Sequence, residues 1–323
     1  MSNPFEFGLL LHTRHLIRSD GLMPTFDEMW EEAVLAEKLG LDHVWLGDSV
    51  TVLEKARGDC LTLMASLAMK TKRLKVGTIP LVLALRSPVL LAHTLATLDV
   101  ISQGRILIGA SVAPTAPYIE RQFDACGVPF NEKAGRLSES IQIMKRLWTD
   151  KTVSFEGKYY KLKDVGILPH PVQSTIPVWV TADRSDNAFK RVARFADGWF
   201  TSSARPVEKF VANRKKIQDY AKSYARAGWD VPSGLYATFN LNHSRDRAIE
   251  EGWAWMLNFF REPKEKLEHH FTIFGTPDDC VRLLQRYIDA GLTSVVARLA
   301  SPDVEGQIRL WLREVKPRLR SRM

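Results

Sequence analysis

IPVWVTADRSDNAFKRVARFADGWFTS, residues 176–202, sets the reading of the whole chain. It opens on a short apolar run, 176–180, rich in Val and Trp, which reads as a strand buried on both faces. The polar turn 181–187 follows, and then Ala188, Val192, Ala193 and Ala196 recur at helical spacing, with Ser185 or Asp186 placed to cap the helix. Asp197-Gly198 ends that helix and Trp199-Phe200 begins another strand. Strand, turn, capped helix and strand make one βα unit of a parallel sheet. The turn also offers free N–H groups at a helix N-terminus with Arg184 beside them, a combination that suits a phosphate.

The same alternation runs along the rest of the chain. Strands are expected at 5–11, 43–46, 74–83, 105–112, 176–180, 199–202, 235–242 and 294–299. Helices are expected between them, including one over 25–39 with Thr25 and Glu28 as a capping box and a long one begun by Asn131. Eight such units give an α/β fold, a single-domain (β/α)₈ TIM barrel, with an open doubly wound sheet as the other arrangement weighed. An insertion after the fourth strand, about 113–171, adds a helix and a hairpin at 152–171 expected to lie over the barrel. The stretch 261–274 is polar and fits no element.

At 323 residues, 45% hydrophobic and 25% charged, the chain has a soluble globular composition with length enough for such a barrel. No apolar run is long enough to span a membrane, and residues 1–12 lack the pattern of a signal peptide. Three distant cysteines, Cys60, Cys126 and Cys280, fit reduced thiols in a cytoplasm. The net charge of +8 is spread along the chain without interleaved aromatics, so a nucleic-acid partner is not expected, although the field favours anionic small molecules. His269-His270 are neighbours that cannot face one site on a helix, and no metal site is expected.

Six blocks in order resemble the bacterial luciferase-like family of flavin- or deazaflavin-dependent oxidoreductases. They are GLDHVWLGD (40–48), TKRLKVGTIPLVLALRSP (71–88), LDVISQGRILIGA (98–110), FDACGVPF with RLSESIQIMKRLW (123–130, 136–148), PVWV with ARFADGW (177–180, 193–199) and GTPDDCVRLLQRYIDAG (275–291). The resemblance implies a ring-binding bulge with a cis peptide at Ile79–Pro80. It implies that Ser111, Val112 and Ala113, with the turn of Thr181, Ala182, Asp183, Arg184, Ser185 and Asn187, line the ring and phosphate, Asp183, Arg184 and Asn187 being on the phosphate side. His12, Asp48, Asn240 and Arg298, at strand ends, are the candidate catalytic residues; His15 reads as loop surface. Thr181-Ala182 and the loop APTAP (113–117) stand where many members carry glycines. Tyr236 and Thr238 stand where the sulfonate-oxidising branch has Arg and His.

The leading expectation is a two-component monooxygenase that uses O₂, a small organic substrate and reduced FMN delivered by a separate flavin reductase, and that forms a homodimer. The alternative is a hydride-transfer enzyme using the 8-hydroxy-5-deazaflavin coenzyme. A catalytically silent flavin-binding barrel is the third reading.

Overall fold

A computed structural model describes residues 5–11, 26–50 and 58–320. The first half contains β1 (Glu6–Leu10), α1 (Asp27–Leu39), β2 (His43–Leu46), α2 (Cys60–Lys70), β3 (Lys75–Leu81), α3 (Pro88–Ser102) and β4 (Ile106–Ala110). Then come α4 (Pro117–Ala125), α5 (Lys133–Thr149) and the hairpin β5 (Val153–Glu156) and β6 (Lys161–Val165). The second half runs β7 (Val178–Thr181), α6 (Asp186–Phe195), β8 (Gly198–Thr201), α7 (Val207–Lys222), β9 (Ser233–Leu241), α8 (Arg245–Phe260) and α9 (Lys264–Leu267). It closes with β10 (Thr272–Gly275), α10 (Pro277–Asp289), β11 (Ser294–Leu299) and α11 (Val304–Leu310).

Eight parallel strands close in the order β1-β2-β3-β4-β7-β8-β9-β11 and back to β1, the (β/α)₈ barrel the alternation implies. β10 is an addition that the sequence left unplaced. β8 pairs only with the start of β9, up to Leu235, so the upper half of β9 would have a bare edge there. β10 fills it, pairing Thr272 to Gly275 with Thr238 to Leu241.

Two apolar shells hold the barrel. One lies between strands and helices; the other fills the barrel itself with Leu10, Trp45, Ile79, Phe200 and Val296, flanked by Leu107, Trp179 and Tyr236. Rings this large fit because their strand neighbours are glycines. Trp45 is in register with Gly77 and Phe200 with Gly234, and a Cβ on Gly234 would lie 2.1 Å from the Phe200 ring. Below Trp45 sits His43, fully buried. The Trp45 indole N–H donates to His43 Nδ1 at 2.7 Å, which leaves Nε2–H to donate to Ser294 Oγ at 2.9 Å. Burial, with Lys75 nearby, pushes the His43 pKa down to about 3, so the ring stays neutral and the floor of the barrel is fixed.

Of three local expectations, one lies outside the described residues and two need correction. α1 starts at Asp27, and the capping residue proposed for it, Thr25, falls outside the described residues. Asn131 does not cap α5; it lies in a 3₁₀ turn over Phe130–Glu132, and α5 itself packs between α3 and α6 as a regular barrel helix. The hairpin is fastened to α5 rather than laid over the barrel, because the Glu139 carboxylate accepts the N–H groups of Lys158, Tyr159 and Tyr160 at 2.8, 3.0 and 3.1 Å. No described helix is long and apolar enough to cross a membrane.

Candidate functional site

In a barrel of this kind the C-terminal strand ends form the mouth where chemistry is placed. At the end of β3 the Ile79–Pro80 peptide is cis, as the resemblance implies, and the pairing of β3 with β4 shifts register between Thr78 and Leu81. Asp48, after β2, is bound up in holding this exit. Its buried carboxylate accepts two hydrogen bonds from Arg86, at 2.7 and 2.9 Å, and one from the Val82 N–H at 3.2 Å. The Cys60 thiol points at the same carboxylate at 3.5 Å, and burial beside Asp48 pushes that thiol's pKa up. Asp48 therefore shapes the bulge through Arg86 and Val82, with its oxygens already engaged.

The end of β4 brings Ser111, Val112 and Ala113 to the mouth, all half-buried. Ser111 Oγ accepts the Ala113 N–H at 3.1 Å, and Ala113 takes a left-handed φ of 64°. Across β7, Thr181 shares the inward face of Trp179. Ala182 is buried, its carbonyl accepting the Trp199 indole N–H at 2.7 Å. Asp183 turns back on β8, accepting from the Thr201 hydroxyl and, at 3.3 Å, from the Ser202 N–H and hydroxyl. Arg184, Ser185 and Asn187 are exposed, and Ser185, at the N-cap of α6, makes no capping bond of its own, so the first amides of that helix remain open to an anion.

On β9, Asn240 shares the inward face of Tyr236. It is fully buried; its Nδ2 donates to the Ala300 carbonyl at 2.7 Å, while its Oδ1 has no hydrogen-bond partner among the described residues. Arg298, two residues beyond the interior Val296, is 5% exposed, donates to the Tyr236 hydroxyl and lies 4.9 Å from the Phe260 ring. Asn240 and Arg298 thus meet at one wall of the mouth, Arg298 pairing in register with Thr238. His12 lies outside the described residues.

A cavity of about 190 Å³ opens beside the turn after β7. Arg184 comes from that turn, Ser203 and Arg205 from the loop after β8, Lys209 from the first turn of α7, and 268–271 from the approach to β10. Arg205 donates to the Thr272 carbonyl and stacks 4.1 Å from the Phe271 ring centroid, and His270 stacks on Phe260 at 4.7 Å. The result is a cationic pocket with one acid, Glu268. Apart from Arg184, its basic residues were missed in the sequence because they come from segments some sixty residues apart. The visible signal was Arg205 in the loop after a strand end, with Lys209 opening the basic helix that follows.

The sequence pattern of the luciferase-like monooxygenases matches residues 5–294. The chain belongs to that family. This luciferase-like oxidoreductase is 27% identical over 321 residues to an F420-dependent glucose-6-phosphate dehydrogenase of Amycolatopsis mediterranei, across 91% of this chain and 95% of that protein. A second such dehydrogenase, from Rhodococcus jostii, is 28% identical over 320 residues, covering 91% and 94%. Among solved structures, the coenzyme F420-dependent tetrahydromethanopterin reductase of Methanopyrus kandleri superposes with a TM-score of 0.78 at 21% identity, over 98% and 100% of the two chains. A monooxygenase of Streptomyces bottropensis gives 0.80 at 20%, over 97% and 99%. Both chemistries share this fold, so the fold does not choose between them. These two relatives, each matched over 91% of the chain and each an F420-dependent dehydrogenase, overturn the expectation of reduced FMN, O₂ and a flavin reductase.

Proposed function

We propose that this chain is a deazaflavin-dependent oxidoreductase, working with coenzyme F420 and exchanging a hydride with a small hydroxylated or carbonyl substrate at the barrel mouth. The observation that carries the reading is the cationic pocket beside the turn after β7, which suits an anionic cofactor chain or a phosphorylated substrate, together with the dehydrogenase relatives. The residues present fit the group. Open amides of α6 and the exposed Arg184 can hold a phosphate, the cofactor's or a substrate's, and the apolar layer of Leu10, Trp45, Ile79, Phe200 and Val296 gives a planar ring a dry floor. When bound, the deazaflavin supplies a ring position that takes or gives a hydride. Asn240 Oδ1 is available to accept a substrate hydroxyl, and Arg298 supplies positive charge at the same wall.

Phosphorylated sugars are the substrate class to offer first, since the relatives are named for one. With F420 supplied, glucose 6-phosphate is expected to bleach the oxidised deazaflavin, and Arg184→Ala with Lys209→Met to raise KM about tenfold or more while changing kcat less. Equal rates with glucose would place the pocket outside the substrate site. Failure of every hydroxylated substrate to reduce F420 would count against the reading itself.

For assembly, we propose a second copy of this chain on the outer face of α2 and α3. Met69 and Leu90 are 65% and 69% exposed there, with Val100 and Ile101 on the same helix as Leu90. A solution mass of two chains is expected from light scattering, and a monomer at micromolar concentration would contradict it.

A further inference from the structure

The exit of β4 carries a cation that the proposed chemistry leaves unused. Lys133 opens α5, and its Nζ lies 3.7 Å from the centroid of the Phe130 ring. Its hydrogen-bond partners are the Ala113 carbonyl at 3.3 Å and Thr115 Oγ1 at 3.4 Å, both neutral and both distant. Among the described residues no carboxylate pairs with it. The surroundings are apolar: Phe130, Ala113 and Ala116 pack on a satellite cluster of Val82, Ala84, Ile119 and Phe123 that walls the exits of β3 and β4.

A lysine in such a place ordinarily extends its head into water. Lys133 instead stays over the ring and the loop, and burial holds its ammonium below the ordinary lysine range, with Glu120 opposing that from a distance. A partly desolvated cation with weak neutral partners is costly unless an anion joins it. The loop it faces is shaped by the Ser111–Ala113 bond and by the left-handed Ala113, so the ammonium, the Ser111 hydroxyl and the strand end are held together.

We propose that Lys133 is a ligand for a phosphate or carboxylate group bound at the exit of β4, a second anion site separated from the cationic pocket by β7. The inference rests on the deazaflavin reading, which supplies two molecules that could carry the group. One is the cofactor, whose side chain contains a phosphodiester; the other is a phosphorylated substrate. Phe130 and the loop 113–117 lie at the end of the strand expected to line the ring, so the cofactor's phosphate is the nearer source.

The test compares wild type, Lys133→Met, which keeps an apolar stem over Phe130, and Lys133→Arg, which keeps the charge. Quenching of tryptophan fluorescence gives the affinity of each for F420 and for the same deazaflavin chromophore without its phosphate. Lys133→Met is expected to weaken F420 binding about tenfold to a hundredfold and to leave the phosphate-free chromophore unchanged, as one charge-assisted contact is lost. Lys133→Arg is expected to retain most of the affinity. If F420 binding is intact and only KM for a phosphorylated substrate rises, the anion site stands and its ligand is the substrate. Equal weakening of both deazaflavins would make Lys133 a mere support of the loop and overturn the inference, as would no change in either ligand. A wild-type protein that binds neither deazaflavin removes the reading of the cofactor, and this inference with it.

Discussion

Arg86→Met is expected to lower the stability of the fold by about 3–5 kcal/mol, the range for stranding one member of a buried ion pair. Asp48 is the member left behind. Its side chain is only 3% exposed and that of Arg86 17%, and the guanidinium meets both carboxylate oxygens. Without Arg86 the carboxylate keeps the Val82 N–H and the Cys60 thiol, too little to replace water. Burial opposes the charge on Arg86, but the bonds and charge of Asp48 outweigh it, holding the guanidinium protonated beyond its ordinary range. Urea unfolding at neutral pH measures the loss. Combining Asp48→Asn with Arg86→Met should recover a large part of it, because the one carboxylate that still loses Arg86, Asp59 at 3.8 Å, is 53% exposed and open to water. A single-variant loss below about 1 kcal/mol would mean that the pair is solvated like a surface bridge. Since Val82 N–H is tied to the same carboxylate, cofactor affinity should fall in Arg86→Met even below the denaturation midpoint.

This pair shows where the sequence was legible and where it was not. Asp48 was readable as a residue at a strand end, because the apolar run 43–46 stops at a glycine. Its partner was not, since Arg86 lies beyond β3 and only the closure of the barrel brings it back. All eight barrel strands were readable for the same reason as β2: each is an apolar run bounded by turn residues and followed by a helical period. β10 was not, because Thr272 to Gly275 is four residues long and owes its place to the edge that β8 leaves open on β9. The hairpin's existence was legible from its alternation, but its docking depends on Glu139, one acid among many on α5.

The site followed the same division. The turn after β7 announced itself as a candidate anion site through its position between strand and helix. The pocket beside it did not, since Arg184, Lys209 and His269 converge only in three dimensions. His269 and His270, set aside as a metal pair, line that pocket. The choice of cofactor had no residue to betray it. Flavin and deazaflavin share a tricyclic ring and a phosphorylated chain, and the difference in their reactivity resides in the ring. The turn Thr181–Asn187 offers open amides and Arg184 to a phosphate of either cofactor, so it does not separate the two.

The identity of that cofactor is decided by titrating the purified protein with F420 and with FMN, oxidised and reduced, under one buffer and salt concentration. F420 is expected to bind at least about tenfold tighter than either form of FMN, with no oxygen uptake when reduced FMN is supplied. Tighter binding of reduced FMN, with substrate-dependent oxygen consumption, would contradict it.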